Sequence, residues 1–591
     1  MAAHSLTGEL AARRGQWSAA ERAFCSAMAA GNGFTYMEPP WWIEPVRHPL
    51  GALLPRAGKP AAARLCCIWL APLEIPMSLV SCRRPTIVLF ALVAGAAPTR
   101  AAAQAKEPWA GLDAYVEAAM RTWQVPGLGL AVVRNDSVIY AKGYGVRELG
   151  RPDRVDERTI FAIGSASKAF TAAAVAMLVD EKKVSLDANP ALYLPGFQLH
   201  DPYATRELTV RDLLSHRSGL ARGELAWYGS GFDRDEIVRR VRFLTPSWSF
   251  RSQFGYQNIM YITAGQVVAK VSGRTWDDFV RDRIFTPLGM TASTTSIRDV
   301  RGQPNVSSPH ATVNDTVRVI PWRDIDNAGP AGSINSNAVE MAQWVRLQLG
   351  RGSYGGKSLI SPRSADEMHQ AQTVIRTDSA ARANNPDTHL QAYGLGWFLE
   401  DYRGRMMVHH GGNVDGFSAL VGMLPENRFG VVILTSQNGS GLPQAILHRV
   451  FDHQLGAPMK DWAGDGFKRL ESQRARGLVA QKKAESGHLT GTKPSLPLSA
   501  YAGTYADSLY GEIVIREEAG KLSLMFGPNW KSELEHYHLE SFRAKFDTPV
   551  LPPVPVTFRI GGSGKVESVL LDMAGTAEFR RVPEAKPKGS P

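Results

Sequence analysis

The chain has 591 residues, of which 44% are hydrophobic and 21% charged, a composition typical of a globular protein with more than one domain. Its formal net charge is +11, but residues 1–105 carry ten Lys or Arg and five Asp or Glu, so they account for +5 of it. The remaining charge is scattered in pairs such as Arg239-Arg240 and Lys482-Lys483, which argues against a nucleic acid partner.

Residues 77–105 have the three parts of a secretory signal peptide. Arg83-Arg84 is the charged start, Ile87–Ala97 the apolar centre, and Ala103-Gln104-Ala105 a small-residue cleavage site. The apolar centre is short for a bilayer-spanning helix, so we expect an exported protein, periplasmic or extracellular, without a stable membrane span in the mature chain. Residues 1–76 show no sustained periodicity, and we interpret them as a non-native or disordered extension.

All four cysteines precede the predicted cleavage site: Cys25, Cys66, Cys67 and Cys82. A cleaved mature chain would therefore have no disulfide, no thiolate nucleophile and no cysteine-ligated metal. Because the sequence also has no nucleotide-binding or metalloprotease motif, we expect no cofactor and no metal.

The predicted elements of residues 106–455 begin and end with strands. A helix over Leu112–Trp123 is followed by two strands in Gly127–Val146, joined by Asn135-Asp136, and Phe417–Asn438 predicts a second hairpin. Helices are predicted between these hairpins over Lys168–Lys182, Arg211–Leu214, Asn258–Val271, Trp276–Ile284 and Asn337–Leu349. This order predicts an α/β (α+β) domain, an antiparallel sheet flanked by helices, with a helical subdomain inserted between its strands.

A change of composition after this segment predicts a linker and a second domain. Residues 456–497 contain a charged helical stretch, Asp465–Glu485, followed by Gly, Ser and Pro. Residues 498–585 show short alternating runs punctuated by glycine, the pattern of a small all-β barrel or sandwich. His536 and His538 alternate there and could bind a metal, but two surface histidines are the simpler interpretation.

The stretch GSASK places Ser165 and Lys168 three residues apart at the start of an apolar predicted helix. This spacing puts both side chains on one helix face, and the helix N-terminus favours negative charge that develops at the serine. Burial would lower the pKa of Lys168 and leave part of it neutral, as a base requires. Alone the pair is a weak signal, because a lysine at the solvated start of a helix explains it at least as well.

Two later stretches offer the partners that a serine nucleophile needs, a proton relay and oxyanion donors. Tyr256-Gln257-Asn258 precedes a predicted helix, where the phenol could pass a proton and the amide could hold Lys168 or a substrate carbonyl. His410-Gly411-Gly412 starts the late hairpin, where glycines let a substrate lie against a strand.

These three motifs, in this order, resemble those of the serine β-lactamase-like superfamily, in the branch of class C β-lactamases, D-alanyl-D-alanine carboxypeptidases, D-aminopeptidases and related esterases. The resemblance implies a β-lactamase/transpeptidase-like fold and a secreted serine hydrolase that cuts a peptide, amide or ester bond, D-amino-acid bonds included. The stretch with Tyr501, Gly503 and Tyr505 resembles the start of a lipocalin-like barrel appended to some members. That barrel implies a lid, a homo-oligomer contact or a ligand pocket.

Carried over by position, the resemblance implies that Ser165 is the acylated nucleophile. Lys168 and Tyr256 would share the general base and general acid roles, and Asn258 would orient Lys168 and the substrate. His216, in a separate landmark of the resemblance, is expected to be structural and to lie outside the site.

The third motif departs from the pattern of the β-lactamases. His410 stands where they and the carboxypeptidases usually carry a lysine, whose charge helps to bind a substrate carboxylate. The resemblance implies that His410 supports the Tyr256 hydroxyl, that Gly411 and Gly412 border the substrate, and that the N–H of Asn413 joins that of Ser165 in an oxyanion hole. A mostly neutral imidazole favours esters, amides or peptides that lack the β-lactam carboxylate.

Two alternatives remain beside a hydrolase of peptides, amides or esters. One is a β-lactamase or D-alanyl-D-alanine carboxypeptidase with the same fold, and the other is a penicillin-binding-type protein without turnover. All three predict a small-molecule or peptide ligand. Gln257 is bulkier than the residue common at its place in the motif, and its direction is left open by the sequence.

Overall fold

A computed structural model describes the chain in these parts: Trp109, residues 111–377, Arg382, residues 387–546, Thr548, residues 550–573 and residues 575–583. The predicted signal peptide and the segment before it lie outside the described residues. Among the described helices, none is both long enough and apolar enough to cross a membrane.

The sheet region, residues 112–455, contains strands and helices interspersed along the chain. In chain order its strands are β1 (Gly127–Arg134), β2 (Ser137–Gly145), β3 (Phe161–Ala162), β4 (His310–Val313), β5 (Thr316–Val319), β6 (Asn335–Ser336), β7 (Ser353–Tyr354), β8 (Lys357–Ser358), β9 (Thr373–Ile375), β10 (Gln391–Tyr393), β11 (Phe398–Tyr402), β12 (Arg405–Val414), β13 (Phe417–Leu424) and β14 (Phe429–Thr435).

The α-helices cover both faces of the sheet and form the inserted subdomain. They are α1 (Leu112–Trp123), α2 (Ser167–Asp180), α3 (Pro202–Glu207), α4 (Val210–Leu214), α5 (Arg234–Arg240), α6 (Asn258–Ser272), α7 (Trp276–Val280), α8 (Thr286–Leu288), α9 (Ile297–Val300), α10 (Gly329–Gly332), α11 (Ala338–Leu349), α12 (Pro362–Met368), α13 (Leu442–Leu455) and, on the way to the barrel, α14 (Trp462–Glu485).

The central sheet has the order β2-β1-β14-β13-β12-β11-β10-β9, and all its neighbours are antiparallel. It thus combines strands from both ends of the region, as predicted. Side chains of β1 alternate between two cores: Leu128 and Leu130 pack with α1 and α13, whereas Ala131 and Val133 pack in the core around α2. Burial on both faces explains why β1 is apolar at nearly every residue.

The strands β9 to β12 were not predicted. β9 and β10 are runs of three residues each, and β12 contains histidines and glycines of low intrinsic strand preference, whose conformation is imposed by pairing with the apolar β13. The His410 motif therefore lies within a long strand, β12, and does not start the hairpin formed by β13 and β14.

The C-terminal part is a closed antiparallel barrel, one of the two architectures that its sequence predicts. Its strands are β15 (Gly503–Asp507), β16 (Gly511–Glu518), β17 (Lys521–Phe526), β18 (Trp530–His538), β19 (Ser541–Ala544), β20 (Val554–Ile560), β21 (Val566–Asp572) and β22 (Thr576–Arg581). Aromatic and aliphatic side chains such as Tyr505, Phe542 and Phe558 fill its interior. His536 Nε2 donates a hydrogen bond to the Leu539 carbonyl, 2.9 Å away.

The barrel packs against a short segment of the sheet region. Leu225 is buried in the barrel core, and the Tyr228 ring lies 5.5 Å from that of Trp530. A Cβ on Gly229 would come within 1.9 Å of Trp530 Nε1, so the backbone there touches the indole. The Tyr228 hydroxyl also donates to Asp415 at 2.7 Å, at the turn between β12 and β13.

Candidate active site

A cavity of about 410 Å³ opens between the start of α2, the start of α6, β12 and residues 222–227. The predicted site residues that line it are Ser165, Tyr256, Asn258, His410, Gly411, Gly412 and Asn413. Lys168 lies beneath Ser165 and is fully buried. The three motifs are therefore brought together at one place, together with lining residues that the sequence did not predict: Arg222, Glu224, Trp227, Ile325, Ala328, Ala331, Gly332 and Phe398.

Ser165 lies on a single 3₁₀ turn, Gly164–Ala166, that leads into α2. Gly164 has φ +52°, and a Cβ there would lie 2.6 Å from the backbone nitrogen of Asn413. Glycine alone combines this backbone conformation with so close an approach. The turn therefore seats the serine at the positive end of α2, against β12.

Lys168 is held between the serine and a backbone carbonyl. Its Nζ donates to Ser165 Oγ at 3.0 Å and to the Ala331 carbonyl at 2.8 Å. Burial lowers the pKa of Lys168 well below its usual value; the carboxylate of Glu224 opposes this change, and the guanidinium of Arg222 adds to it. Burial therefore favours the neutral amine next to the Ser165 hydroxyl.

Tyr256 approaches Ser165 from another direction. The interaction of its hydroxyl with Ser165 lowers the pKa of Tyr256, but burial has the larger effect and raises that pKa above its usual value. The phenol therefore stays protonated at neutral pH. The ring packs against His216 at 4.2 Å and lies parallel to Phe398 at 6.5 Å.

His216 supports this arrangement from outside the cavity. Its side chain is fully buried, and its Nδ1 accepts the backbone N–H of Gln257 at 3.0 Å. Gln257 points away from the cavity: its Oε1 accepts the N–H of Ile259 at 2.8 Å and caps α6, and its Nε2 donates to the Ala221 carbonyl. Gln257 thus does not narrow the site.

Asn258 does not contact Lys168 as expected. Its Nδ2 donates to the two carboxylate oxygens of Glu224, at 3.3 and 3.2 Å. Glu224 also accepts from Nε of Arg222 at 2.8 Å. Asn258 is the first residue of α6 and faces the segment that carries Glu224. The Glu224 carboxylate therefore accepts the hydrogen bonds of the Asn258 amide, while the Ala331 carbonyl accepts that of Lys168.

His410 also has a different partner from the one expected. Its Nε2 lies 3.0 Å from the Tyr393 hydroxyl, and its ring centroid is 6.3 Å from that of Tyr256. Burial, with a smaller effect of Lys168, lowers the pKa of His410 to about 3, so the ring is neutral. The adjacent His409 faces the other way, with Nε2 3.7 Å from Glu400.

The two glycines of the third motif have different surroundings. A Cβ on Gly412 would lie 1.8 Å from the Ile163 carbonyl oxygen and 2.7 Å from the Ser165 nitrogen, so β12 touches the turn that carries Ser165. A Cβ on Gly411 would meet nothing closer than 3.5 Å. Only Gly412 is required by packing, and the next residue, Asn413, lies against Gly164.

Arg222 and Glu224 are the charged lining residues that the sequence analysis missed. They follow the stretch around His216, where the chain turns through Gly219 (φ +83°) and Gly223 (φ +60°). Their sequence, ARGEL, is not part of any of the three motifs. The signal available in the sequence was a charged pair beside an apolar run. Within the described parts, no group of three or more His, Cys, Asp or Glu side chains could hold a metal ion.

Comparison with known proteins finds a family match for each of the two parts of the chain. A family model described as Beta-lactamase matches residues 112–454, and one described as Domain of unknown function (DUF3471) matches residues 488–584. The unguisins hydrolase ungD of Aspergillus violaceofuscus is 29% identical over 452 residues, 68% of this chain and 76% of the relative. Penicillin-binding protein 4 of Amycolatopsis lactamdurans is 29% identical over 343 residues, 57% of this chain and 87% of the relative.

A solved structure is similar in fold. The octameric penicillin-binding protein homologue from Pyrococcus abyssi is 20% identical and superposes with a TM-score of 0.54, over 80% of this chain and 99% of that one. At this identity the similarity concerns the fold alone.

Proposed function

The chain belongs to the beta-lactamase family, and on that basis we propose that it is a serine hydrolase that cuts a peptide, amide or ester bond through an acyl-enzyme. The observation that carries the proposal is the hydrogen bond of the buried Lys168 amine to Ser165 Oγ at 3.0 Å, with Tyr256 lining the same cavity beside the serine. A serine with a base and an acid on its hydroxyl is equipped for nucleophilic catalysis.

Lys168 is the general base of the acylation step. Burial lowers the pKa of Lys168, and its neutral Nζ takes the proton as the Ser165 O–H bond breaks and Oγ bonds to the substrate carbonyl carbon. The Ala331 carbonyl, 2.8 Å away, keeps the amine aimed at the serine. The backbone N–H groups of Ser165 and Asn413 donate to the oxyanion, which the N-terminus of α2 also stabilises.

Tyr256 is the general acid. Because burial raises the pKa of Tyr256, its hydroxyl keeps a proton for the leaving group as the carbonyl carbon–leaving group bond breaks. The Lys168 ammonium, 4.8 Å from the centroid of the Tyr256 ring, then gives the proton that it took from Ser165 to the tyrosine oxygen. Water then attacks the carbonyl carbon of the acyl-enzyme. The proton transfers run in reverse: the water proton passes to the tyrosine oxygen, and Lys168 returns a proton to Ser165 Oγ as the acyl bond breaks.

The neutral His410 favours peptides, amides and esters over β-lactams. A lysine at this place would present a fixed cation to the β-lactam carboxylate, whereas the buried imidazole carries no charge at neutral pH, with its pKa near 3. The name of the fungal relative describes a hydrolase of unguisins, which supports a hydrolase activity for this chain.

Covalent labelling tests the proposal. A fluorophosphonate probe or a fluorescent penicillin should label the wild-type protein, and Ser165→Ala should abolish both the label and the turnover of a panel of D- and L-aminoacyl amides, esters and β-lactams. Labelling that survives Ser165→Ala would contradict the nucleophile assignment. Labelling without turnover of any compound would favour a penicillin-binding protein without catalysis, and rapid nitrocefin hydrolysis would contradict the interpretation of His410.

We also propose export through the signal at residues 77–105 and self-association through the barrel. N-terminal sequencing of the protein from cell fractions should find a mature chain that starts near residue 106 outside the cytoplasm. Sedimentation of the full mature chain measures its oligomeric state; a monomer at all concentrations would contradict the second part.

A further inference from the structure

Arg222 stands at the mouth of the active-site cavity, with 56% of its side chain exposed. Its guanidinium lies 5.2 Å from the centroid of the Tyr256 ring, and Tyr256 lines the cavity beside Ser165. The guanidinium is therefore about one aromatic ring away from the nucleophile. A substrate whose carbonyl is at Ser165 and which extends along Tyr256 meets Arg222.

The hydrogen bond of Arg222 uses its Nε and leaves the two terminal guanidinium nitrogens, its fork, available to a ligand. Nε donates to Glu224 at 2.8 Å, and within the described parts of the chain neither terminal nitrogen has a hydrogen-bond partner. These two nitrogens present parallel N–H donors, a geometry that fits the two oxygens of a carboxylate. The bond through Nε fixes the direction in which the fork points.

Glu224, in contrast, is already satisfied. Its two oxygens accept one donor from Arg222 and both contacts from Asn258, and only 13% of its side chain is exposed. It is therefore placed to orient Arg222 and not to bind a substrate ammonium. The other basic groups near the nucleophile, Lys168 and His410, are buried and favour their neutral forms.

We propose that Arg222 is a specificity-determining residue that binds a carboxylate of the substrate, and that the preferred substrates carry a carboxylate a few bonds from the scissile carbonyl. The inference rests on the proposed hydrolase function. It places the substrate-binding cation on the segment beside α6 and not on β12, where His410 stands. Trp227 and Phe398, which line the same cavity, accommodate an apolar group beside the carboxylate.

The carboxylate can belong to the acyl group or to the leaving group, and two substrate pairs distinguish them. The first pair is p-nitrophenyl hydrogen succinate and its methyl ester, followed by p-nitrophenolate release. The second pair is an N-benzoylglycyl thioester of mercaptoacetate and that of mercaptoacetamide, followed by thiol release. Each pair gives a preference ratio, the kcat/KM of the anionic substrate divided by that of the neutral one.

We expect wild-type protein to show a preference ratio of about ten or more for one pair, mainly through KM, as a charged hydrogen-bonded pair provides. Arg222→Gln should reduce this ratio to about one, and Arg222→Lys should keep part of it. Arg206→Gln removes the same charge from an exposed arginine outside the cavity, with 68% of its side chain exposed, and should keep the whole ratio.

Ratios near one for both pairs in the wild type, or a high ratio that persists in Arg222→Gln, would overturn the inference. A preference for substrates with an ammonium that disappears in Glu224→Gln would overturn it too, because recognition would then belong to the carboxylate. Turnover of the neutral substrates tells these outcomes apart from failure of the hydrolase proposal, in which no substrate would be turned over by any of the proteins.

Discussion

Asn258 donates its side-chain amide to both carboxylate oxygens of Glu224, at 3.3 and 3.2 Å, whereas the Lys168 amine donates to Ser165 and Ala331. The amide thus holds a buried carboxylate near Lys168 and Tyr256. Burial, the largest influence, lowers the pKa of Lys168; Glu224 raises it and Arg222 lowers it. Arg222 and Glu224 therefore shift the pKa of Lys168 in opposite directions.

Glu224→Gln and Arg222→Gln should shift the pH dependence of kcat/KM in opposite directions. Loss of the carboxylate destabilises the lysine ammonium, so the pKa of Lys168 falls and the acid limb moves to lower pH. Loss of the guanidinium has the reverse effect, and the acid limb moves to higher pH. Rates for a neutral ester between pH 4 and 10 measure both shifts, and a shift of the same sign in both variants would contradict Lys168 as the base.

Gly412→Ala should reduce kcat/KM by about a hundredfold or more, whereas Gly411→Ala should change it little. The added methyl at Gly412 would lie 1.8 Å from the Ile163 carbonyl oxygen, and only backbone movement at the nucleophile turn can relieve that contact. Small displacements of a catalytic group cost this much in rate. Steady-state kinetics of the two variants make the comparison, and equal losses would show that glycine at Gly412 is not needed for packing.

Trp530→Ala should impair both stability and catalysis, although Trp530 belongs to the barrel. The change removes a buried side chain, a loss of about 3–5 kcal/mol, and also removes the support of Tyr228, which holds Asp415 beside β12. Phe558→Ala in the barrel interior is the control. We expect it to lose a similar amount of stability and to keep an unchanged KM below the melting temperature. Denaturation and kinetics at 25 °C test both, and equal KM values in the two variants would contradict the coupling.

Acid should destabilise the protein before its carboxylates titrate. Burial lowers the pKa of His410 and of His448 to about 3 each, against an ordinary value of 6.5. Between pH 6.5 and 3 the unfolded chain therefore binds more protons, and the free energy of unfolding decreases as the pH falls. Each histidine should cost about 2 kcal/mol at pH 5 relative to pH 7.

His448→Phe isolates one of these two contributions. The ring stacks on Tyr402 at 5.0 Å, and phenylalanine keeps that contact while it removes the proton-binding nitrogen. The loss of stability between pH 7 and pH 5, from urea denaturation, should be smaller in the variant by about 2 kcal/mol. An unchanged difference would show that His448 is protonated in the folded protein.

Local sequence signals were sufficient for the elements with strong periodicity or caps. The helix predicted over Asn337–Leu349 is α11, and Asn337 accepts the N–H of Glu340 at 2.9 Å as an N-cap. The first hairpin turns at Asn135 and Asp136, both with positive φ, because these residues tolerate the left-handed conformation. β9 and β10 escaped prediction because runs of three residues carry no clear periodicity, and β12 escaped it because pairing with β13 sets the conformation of its histidines and glycines.

The site divides in the same way. Ser165, Tyr256 and His410 belong to motifs whose order was visible in the chain, and the fold brings them to one cavity. Arg222 and Glu224 line the cavity from a segment that contains two glycines with positive φ, and no motif in the sequence marks this segment. The partners of Asn258 and His410 were also beyond prediction, since a motif specifies a residue type but not the neighbour that its side chain meets.

The pairing of β1 with β14 joins the first strand of the sheet to its last, with Leu128 opposite Thr435. A ribosome that has made β1 and β2 has therefore produced a hairpin whose second edge has no partner until residues 429–435 are synthesised. An apolar edge that stays open for so long is a template for association with other chains, and contacts so distant in sequence form slowly. Soluble yield of this protein should therefore depend on chaperones and growth temperature more than on the stability of the finished fold.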